Sequence, residues 1–204
     1  MMERLSLFGQ LCGDMKKAAN VHAVLGSRNI ASSPREKNDF YATSPEAIPP
    51  LLERVQFQHN ILEPCCGQGH LAEALKSYGH DVEASDLIDR GYGIIRDFFA
   101  IKETAKDIVT NPPYFGLVDY MRHGVDLLQH ENQKMAMFLR ILTLESQERK
   151  AFFDSHPPIL ILVSSSRIAC AKNGEFEKYK STAQAYAWFV WKAGHNGETI
   201  LKWF

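Results

Sequence analysis

The chain of 204 residues is short of cysteine, carries no excess of either charge and has no long apolar run. Its four cysteines are Cys12, Cys65, Cys66 and Cys170, and the only close pair is adjacent. That spacing fits neither a disulfide framework nor a zinc site, which points to a reducing compartment. No apolar stretch approaches the roughly 18 residues that a membrane span needs. Residues 1–20 lack an apolar core followed by a small-residue cleavage site, so a cytoplasmic chain without membrane attachment is expected. The net charge is −1, which argues against a broad basic surface but leaves room for local clusters. Two such clusters occur, Arg28, Arg35 and Lys37 early, and Lys172, Lys178 and Lys180 late. The histidines show no ligand spacing, and no metal is expected.

What is present is an alternation of strand-like and helix-like segments. Strands are expected at residues 60–63, 81–85, 107–110, 134–139 and 159–163, and helices at 46–55, 71–78, 117–128 and 144–154. Ser44 is placed to cap the first helix, with Pro45 at its first position. Two β-rich runs close the chain, 185–192 and 199–204, split by Gly194-His195-Asn196-Gly197, a hairpin signal. The pattern predicts an α/β doubly wound, mostly parallel sheet with an antiparallel edge hairpin. Residues 1–38 read as an N-terminal arm, and 39–204 as the catalytic domain.

Two motifs carry chemistry. Ile61-Leu62-Glu63-Pro64-Cys65-Cys66-Gly67-Gln68-Gly69 is a strand feeding a glycine turn that opens a helix, and Asp86 stands at the end of the next strand. Glycines let the main chain bend sharply and approach a ligand closely. A carboxylate at that strand end can accept both hydroxyls of a ribose. The run from Gly67 to Ala72 also satisfies the G-x-G-x-x-A dinucleotide fingerprint. Glu63 discriminates, because an acid there pairs with a cationic amine and repels a pyrophosphate. The second motif, Asn111-Pro112-Pro113-Tyr114, directly follows the 107–110 strand. The amide oxygen of Asn111 and the next backbone carbonyl can each accept an N–H of a planar amine, pushing its lone pair toward an electrophile. The prolines stiffen that corner. Tyr114 offers a flat face, worth about 1–3 kcal/mol for a stacked base.

These residues resemble the amino-group DNA methyltransferases, above all the small adenine-N6 enzymes of phage and mobile elements, over about residues 38–204. The resemblance implies a class I Rossmann-like, seven-stranded fold with S-adenosyl-L-methionine as cofactor and nucleic acid, DNA first, as acceptor. It implies cofactor contacts from Phe40, Tyr41 and Thr43 upstream and from Glu63, Pro64, Cys65, Gly67 and Gly69 in the loop. Asp86 then matches the ribose-binding acid and Asp97 the contact to the cofactor's adenine amine, with Leu87, Phe98 and Asn111 as further expected cofactor contacts. Asn111, Pro112, Pro113 and Tyr114 match the catalytic tetrapeptide. Tyr114, Arg167 and Lys172 are the expected acceptor contacts. The chain departs from the family pattern with Ser44 between Thr43 and Pro45, and with Cys65-Cys66 in the loop. It also has no room for a large target-recognition domain. Recognition is therefore expected from the arm, the 171–183 loop, a second copy of the chain or a partner protein. Competing readings are an RNA adenine or protein glutamine acceptor, an NAD-linked oxidoreductase, and a non-catalytic adaptor.

Overall fold

The computed structural model describes residues 40–178 and 184–204. The expected arm with Arg28, Arg35 and Lys37, together with Lys180 and part of the 171–183 loop, lies outside the described residues. Four helices, α1 (Ile48–Leu52), α2 (His70–Ser77), α3 (Leu117–Asp126) and α4 (Gln147–Ser155), flank the main sheet. Its strands are β2 (Asn60–Glu63), β3 (Asp81–Asp86), β4 (Ile94–Ile95), β5 (Asp107–Thr110), β6 (Lys134–Arg140), β7 (Leu160–Val163), β9 (Tyr186–Lys192) and β10 (Ile200–Trp203). They lie in the order β10-β7-β9-β6-β5-β2-β3-β4, and every pairing is parallel except those of β9. A separate antiparallel ribbon joins β1 (Tyr41–Thr43) to β8 (Cys170–Lys172). Among the described residues no helix is long and apolar enough to cross a membrane.

The sheet has eight strands where seven were expected, and the closing hairpin does not form. The chain does turn after β9, with Gly194 in the left-handed region at φ 72°. Both edges of β9 are already taken, however, by β6 along Tyr186–Lys192 and by β7 along Ala187–Val190. The next segment therefore lines up outside β7, in parallel, as β10. A signal of this was present: Tyr186 to Trp191 is continuously apolar and buried on both sides, whereas an edge hairpin strand would alternate. Trp188, Phe189 and Trp191 accordingly serve the core, while Trp203 on the edge strand is 62% exposed.

Alternate residues of the central strands feed two cores, as the two-residue period requires. Ile61, Val109, Phe138 and Trp188 face α1 and α2 on one side, and Leu62, Ile108, Met137 and Phe189 face α3 and α4 on the other. The expected 46–55 helix is shorter and divided. Ser44 caps a 3-10 turn (Pro45–Ala47), and α1 follows with its prolines in the first turn, where no N–H is needed. The Trp188 indole N–H donates to the Ala47 carbonyl at 2.8 Å, which holds this turn against the sheet.

Below the sheet, fully buried Asp107 accepts from the backbone N–H groups of Gln58 and Lys134, each at 2.7 Å, and from the Gln58 side chain at 3.2 Å. This carboxylate ties the entries of β2, β5 and β6 together. Asp107→Ala would remove three hydrogen bonds to a buried carboxylate, a loss of about 3 kcal/mol. The expected fall in Tm is roughly 6–12 °C, measured by thermal denaturation of wild type and variant.

Candidate active site

The C-terminal ends of β2, β3 and β5 lie side by side, where ligands bind in open α/β sheets. At the end of β2 the chain enters the glycine turn. Gly67 and Gly69 both adopt positive φ, 54° and 84°. A Cβ on Gly67 would lie 2.0 Å from the Phe40 ring, and one on Gly69 would lie 2.6 Å from the Tyr92 ring. No other residue fits either position. Gly69 then caps α2. Asp86 at the end of β3 braces the turn: one carboxylate oxygen accepts from the Gly67 N–H at 2.8 Å, the other from the Ile88 N–H at 3.0 Å. Each oxygen keeps a further lone pair. Tyr92, with no signal in the sequence pattern, lies over Gly69 and bonds through its hydroxyl to Glu73 and Lys76.

Glu63 is 1% exposed, and its Oε2 has no donor. Burial lifts its carboxyl well above the usual range. The Ala72 backbone hydrogen bond opposes that rise, and the Asp86 charge adds to it. A cation placed against Oε2 would favour its ionised form. Burial likewise lifts the Cys65 thiol, and the Cys66 thiol is pushed up to about 12 by burial and then by the charge on Glu63. Neither thiol is primed as a nucleophile.

Asn111 follows β5 and reaches the ribbon. Its Nδ2 donates to the Thr43 hydroxyl at 2.8 Å and to the Tyr41 carbonyl at 3.3 Å. A carbonyl can only accept, so the NH₂ must face β1, and Oδ1 turns away, buried and without a donor. Phe40, Thr43, Glu63, Cys65 and Asn111 share the lining of one cavity. Its volume is about 20 Å³, room for a single water. The Phe40 ring, with the Arg90 guanidinium 4.7 Å above it, closes that space.

Other expected residues fall elsewhere. Phe98 is 2% exposed and packs in the core, stacked on Tyr120 and edge-on to His123 at 4.7 Å, so its ring is committed to packing. Asp97 is exposed and accepts from the Phe99 N–H at 3.0 Å, starting a 3-10 turn. Leu87 is 59% exposed. Tyr120, unmarked by any motif, stands between these elements. Its phenol is pushed up to about 12 by burial, then by the charges of Cys65, Asp97 and Asp86.

Pro112 is buried and Pro113 exposed. Tyr114 differs most from expectation. The Arg140 guanidinium carbon lies 3.9 Å from the centroid of its ring, and its hydroxyl meets that of Tyr186 at 2.9 Å. The face expected to be open for a base is covered. Next to it lies an open cavity of about 350 Å³, lined by Tyr114, Arg140, Thr143 and Arg149 among others. Arg167, exposed between β7 and β8, and Lys172, at the end of β8 opposite Tyr41, line neither cavity. Arg140 went unnoticed in the sequence, although its place at the C-terminal end of a sheet strand is where ligand contacts concentrate.

No protein family model matches the chain, and no curated protein matches it. Solved structures do resemble it. A protein of Listeria monocytogenes assigned as a class I S-adenosylmethionine-dependent methyltransferase aligns at TM-score 0.50 and 15% identity over 78% of this chain and 64% of its own. A modification subunit assigned to a type I restriction enzyme of Vibrio vulnificus YJ016 aligns at TM-score 0.54 and 12% identity, covering 92% of this chain and 50% of its own. An assigned O-methyltransferase of Agrobacterium tumefaciens aligns at TM-score 0.51 and 13% identity over 74% and 81%. The chain thus spans about half to two thirds of the first two. With its parallel strands, the antiparallel β9 set inside the sheet and the glycine turn after β2, it has the Rossmann-like fold of the class I methyltransferases.

Proposed function

We propose that the chain is an S-adenosyl-L-methionine-dependent N-methyltransferase acting on an exocyclic amine, with adenine N6 in DNA as the favoured acceptor. One observation carries the reading: two buried oxygens without donors, Glu63 Oε2 and Asn111 Oδ1, on residues that line the same cavity. A cationic amino group answers the first and a neutral NH₂ the second, and the amino-acid end of the cofactor and the acceptor supply these. The donor set therefore fits the cofactor, although the Phe40 ring has to leave Gly67 to admit it. A similar fold in a restriction-modification subunit supports DNA over other acceptors.

In this reading Glu63 holds the ammonium, the turn from Pro64 to Gly69 lies along the amino-acid chain, and Asp86 takes the ribose. Phe40, Tyr41 and Thr43 close the site from above, and Leu87 and Asp97 flank the adenine. The bound cofactor supplies a methyl group on a sulfonium. Asn111 Oδ1 and the Pro112 carbonyl accept the two acceptor N–H bonds and turn the lone pair toward that methyl. Asn111 is not a base, so the proton leaves to water after transfer. Positioning does most of the work, with no covalent intermediate on the protein.

Asn111→Ala is expected to lower methyl transfer by about 10²–10³-fold while S-adenosylhomocysteine affinity changes much less. Tritiated-methyl transfer to duplex DNA, single-stranded DNA, RNA and protein reads the first effect, and calorimetry the second. Near-normal turnover of the variant would overturn the mechanism. Asp86→Ala should act in the opposite sense, weakening S-adenosylhomocysteine first, because it also frees the Gly67 and Ile88 N–H groups. A melting shift with NAD and none with S-adenosylhomocysteine would favour an oxidoreductase.

The raised Glu63 carboxyl makes binding pH-dependent. The free site holds it protonated to higher pH than usual, and an ammonium requires it ionised. Cofactor binding should therefore release a proton below its raised pKa, and affinity should climb with pH and level off above it. Glu63→Gln should abolish both effects, as calorimetry in buffers of different ionisation heat would show.

A further inference from the structure

Resting on the acceptor reading above, we propose that Arg140 is the phosphate-recognising group of the acceptor site, so that the chain takes an amine borne on a nucleotide and not an uncharged protein amide. Arg140 ends β6 and is half-buried, with its guanidinium carbon 3.9 Å from the centroid of the Tyr114 ring. Its Nε is buried without an acceptor. Among the described residues no carboxylate lies within ion-pair reach of it. Its neighbours Tyr114 and Tyr186 are phenols that burial holds neutral. A guanidinium is charged at any working pH, so among the described residues this cation stands half out of water with no ion-pair partner.

It covers one face of the Tyr114 ring, the face this proposal gives to a planar acceptor ring. A ring can stack there only after the guanidinium leaves, and leaving is favourable only if an anion receives it. A nucleotide brings both parts in one molecule: the ring takes the Tyr114 face, and the phosphate, a sugar's length away, takes the fork of Arg140. The adjoining cavity of about 350 Å³ has room for such a ligand, and Arg149 on its wall adds a second cation. Arg149 bonds Ser146 and the Leu142 carbonyl. Asp119 and Glu148 also line the cavity, both exposed. Their charges are screened by water, whereas that of Arg140 is half shielded from it. A glutamine side chain has no anion to draw Arg140 off the ring.

Two measurements on the full chain test this. By calorimetry, wild type should bind adenosine 5′-monophosphate at least about tenfold more tightly than adenosine, as a charge-assisted pair requires. Equal affinities would overturn the proposal without any variant. By fluorescence anisotropy with a short labelled single-stranded DNA, Arg140→Gln should weaken binding and reduce the slope of log affinity against log salt by about one. Arg140→Lys should restore that slope while leaving the stack on Tyr114 broken. A salt slope unchanged in Arg140→Gln would overturn the proposal, as would failure of Arg140→Lys to recover it. A chain that binds nucleotide through Arg140 yet transfers methyl to no acceptor would break the proposed activity and leave this inference standing. Transfer with binding indifferent to Arg140 would do the reverse.

Discussion

The amide of Asn111 is the joint between the sheet and what covers it. Its NH₂ is committed to Tyr41 and Thr43 on the ribbon, so this pair of hydrogen bonds ties β1 to the end of β5 and leaves Oδ1 turned away from the ribbon. The two effects cannot be separated, because an amide plane that points nitrogen one way points oxygen the other. The continuity of the ribbon with the rest of the chain reinforces this. Ser44 N–H donates to the Ala169 carbonyl, and Asn173 N–H to the Phe40 carbonyl, so β1 and β8 move together.

Around that joint, electrostatics is left unbalanced on purpose-built groups. Glu63 has lost water, and no donor among the described residues reaches its Oε2. Asn111 has lost water on one side and found no donor. Arg140 has lost half its water and found only neutral hydroxyls and a ring face. Buried polar groups without partners are uncommon in native proteins, and each is costly. Here one is an acid held protonated by burial, one a neutral amide and one a cation. The ligands argued above answer all three, with an ammonium, an amine N–H and a phosphate. By contrast, Asp107 and Gln133 accept and donate at the strand entries, and Asp86 accepts from Gly67 in the glycine turn with one oxygen and from Ile88 with the other.

The two flat covers, the Phe40 ring over Gly67 and the Arg140 guanidinium over Tyr114, show the same device in two places. A flat group rests where the bound molecule would lie, and keeps apolar surface out of water. The cavity of about 20 Å³ beneath Phe40 and the covered ring of Tyr114 are consequences of that packing. Ligand entry then exchanges one stack for another and does not open a void.

Much of this was legible in the chain alone. Strand and helix positions followed from apolar period, and the 107–110 strand matches β5 residue for residue. The glycine turn, Asp86 and the Asn-Pro-Pro-Tyr corner announced themselves because their chemistry is local: glycine suits a positive φ with close packing above it, and a proline pair ends a ladder. What only the tertiary structure decided depends on contacts between distant segments. The 185–204 region turned where its glycines dictated, but which strand it met was settled by which sheet edges were free, and those of β9 were already filled. Phe98 went to the core because Tyr120 and His123 were there to receive its ring. Arg140 reached Tyr114 because β6 carries it to the same end of the sheet as β5, a proximity that no spacing along the chain encodes.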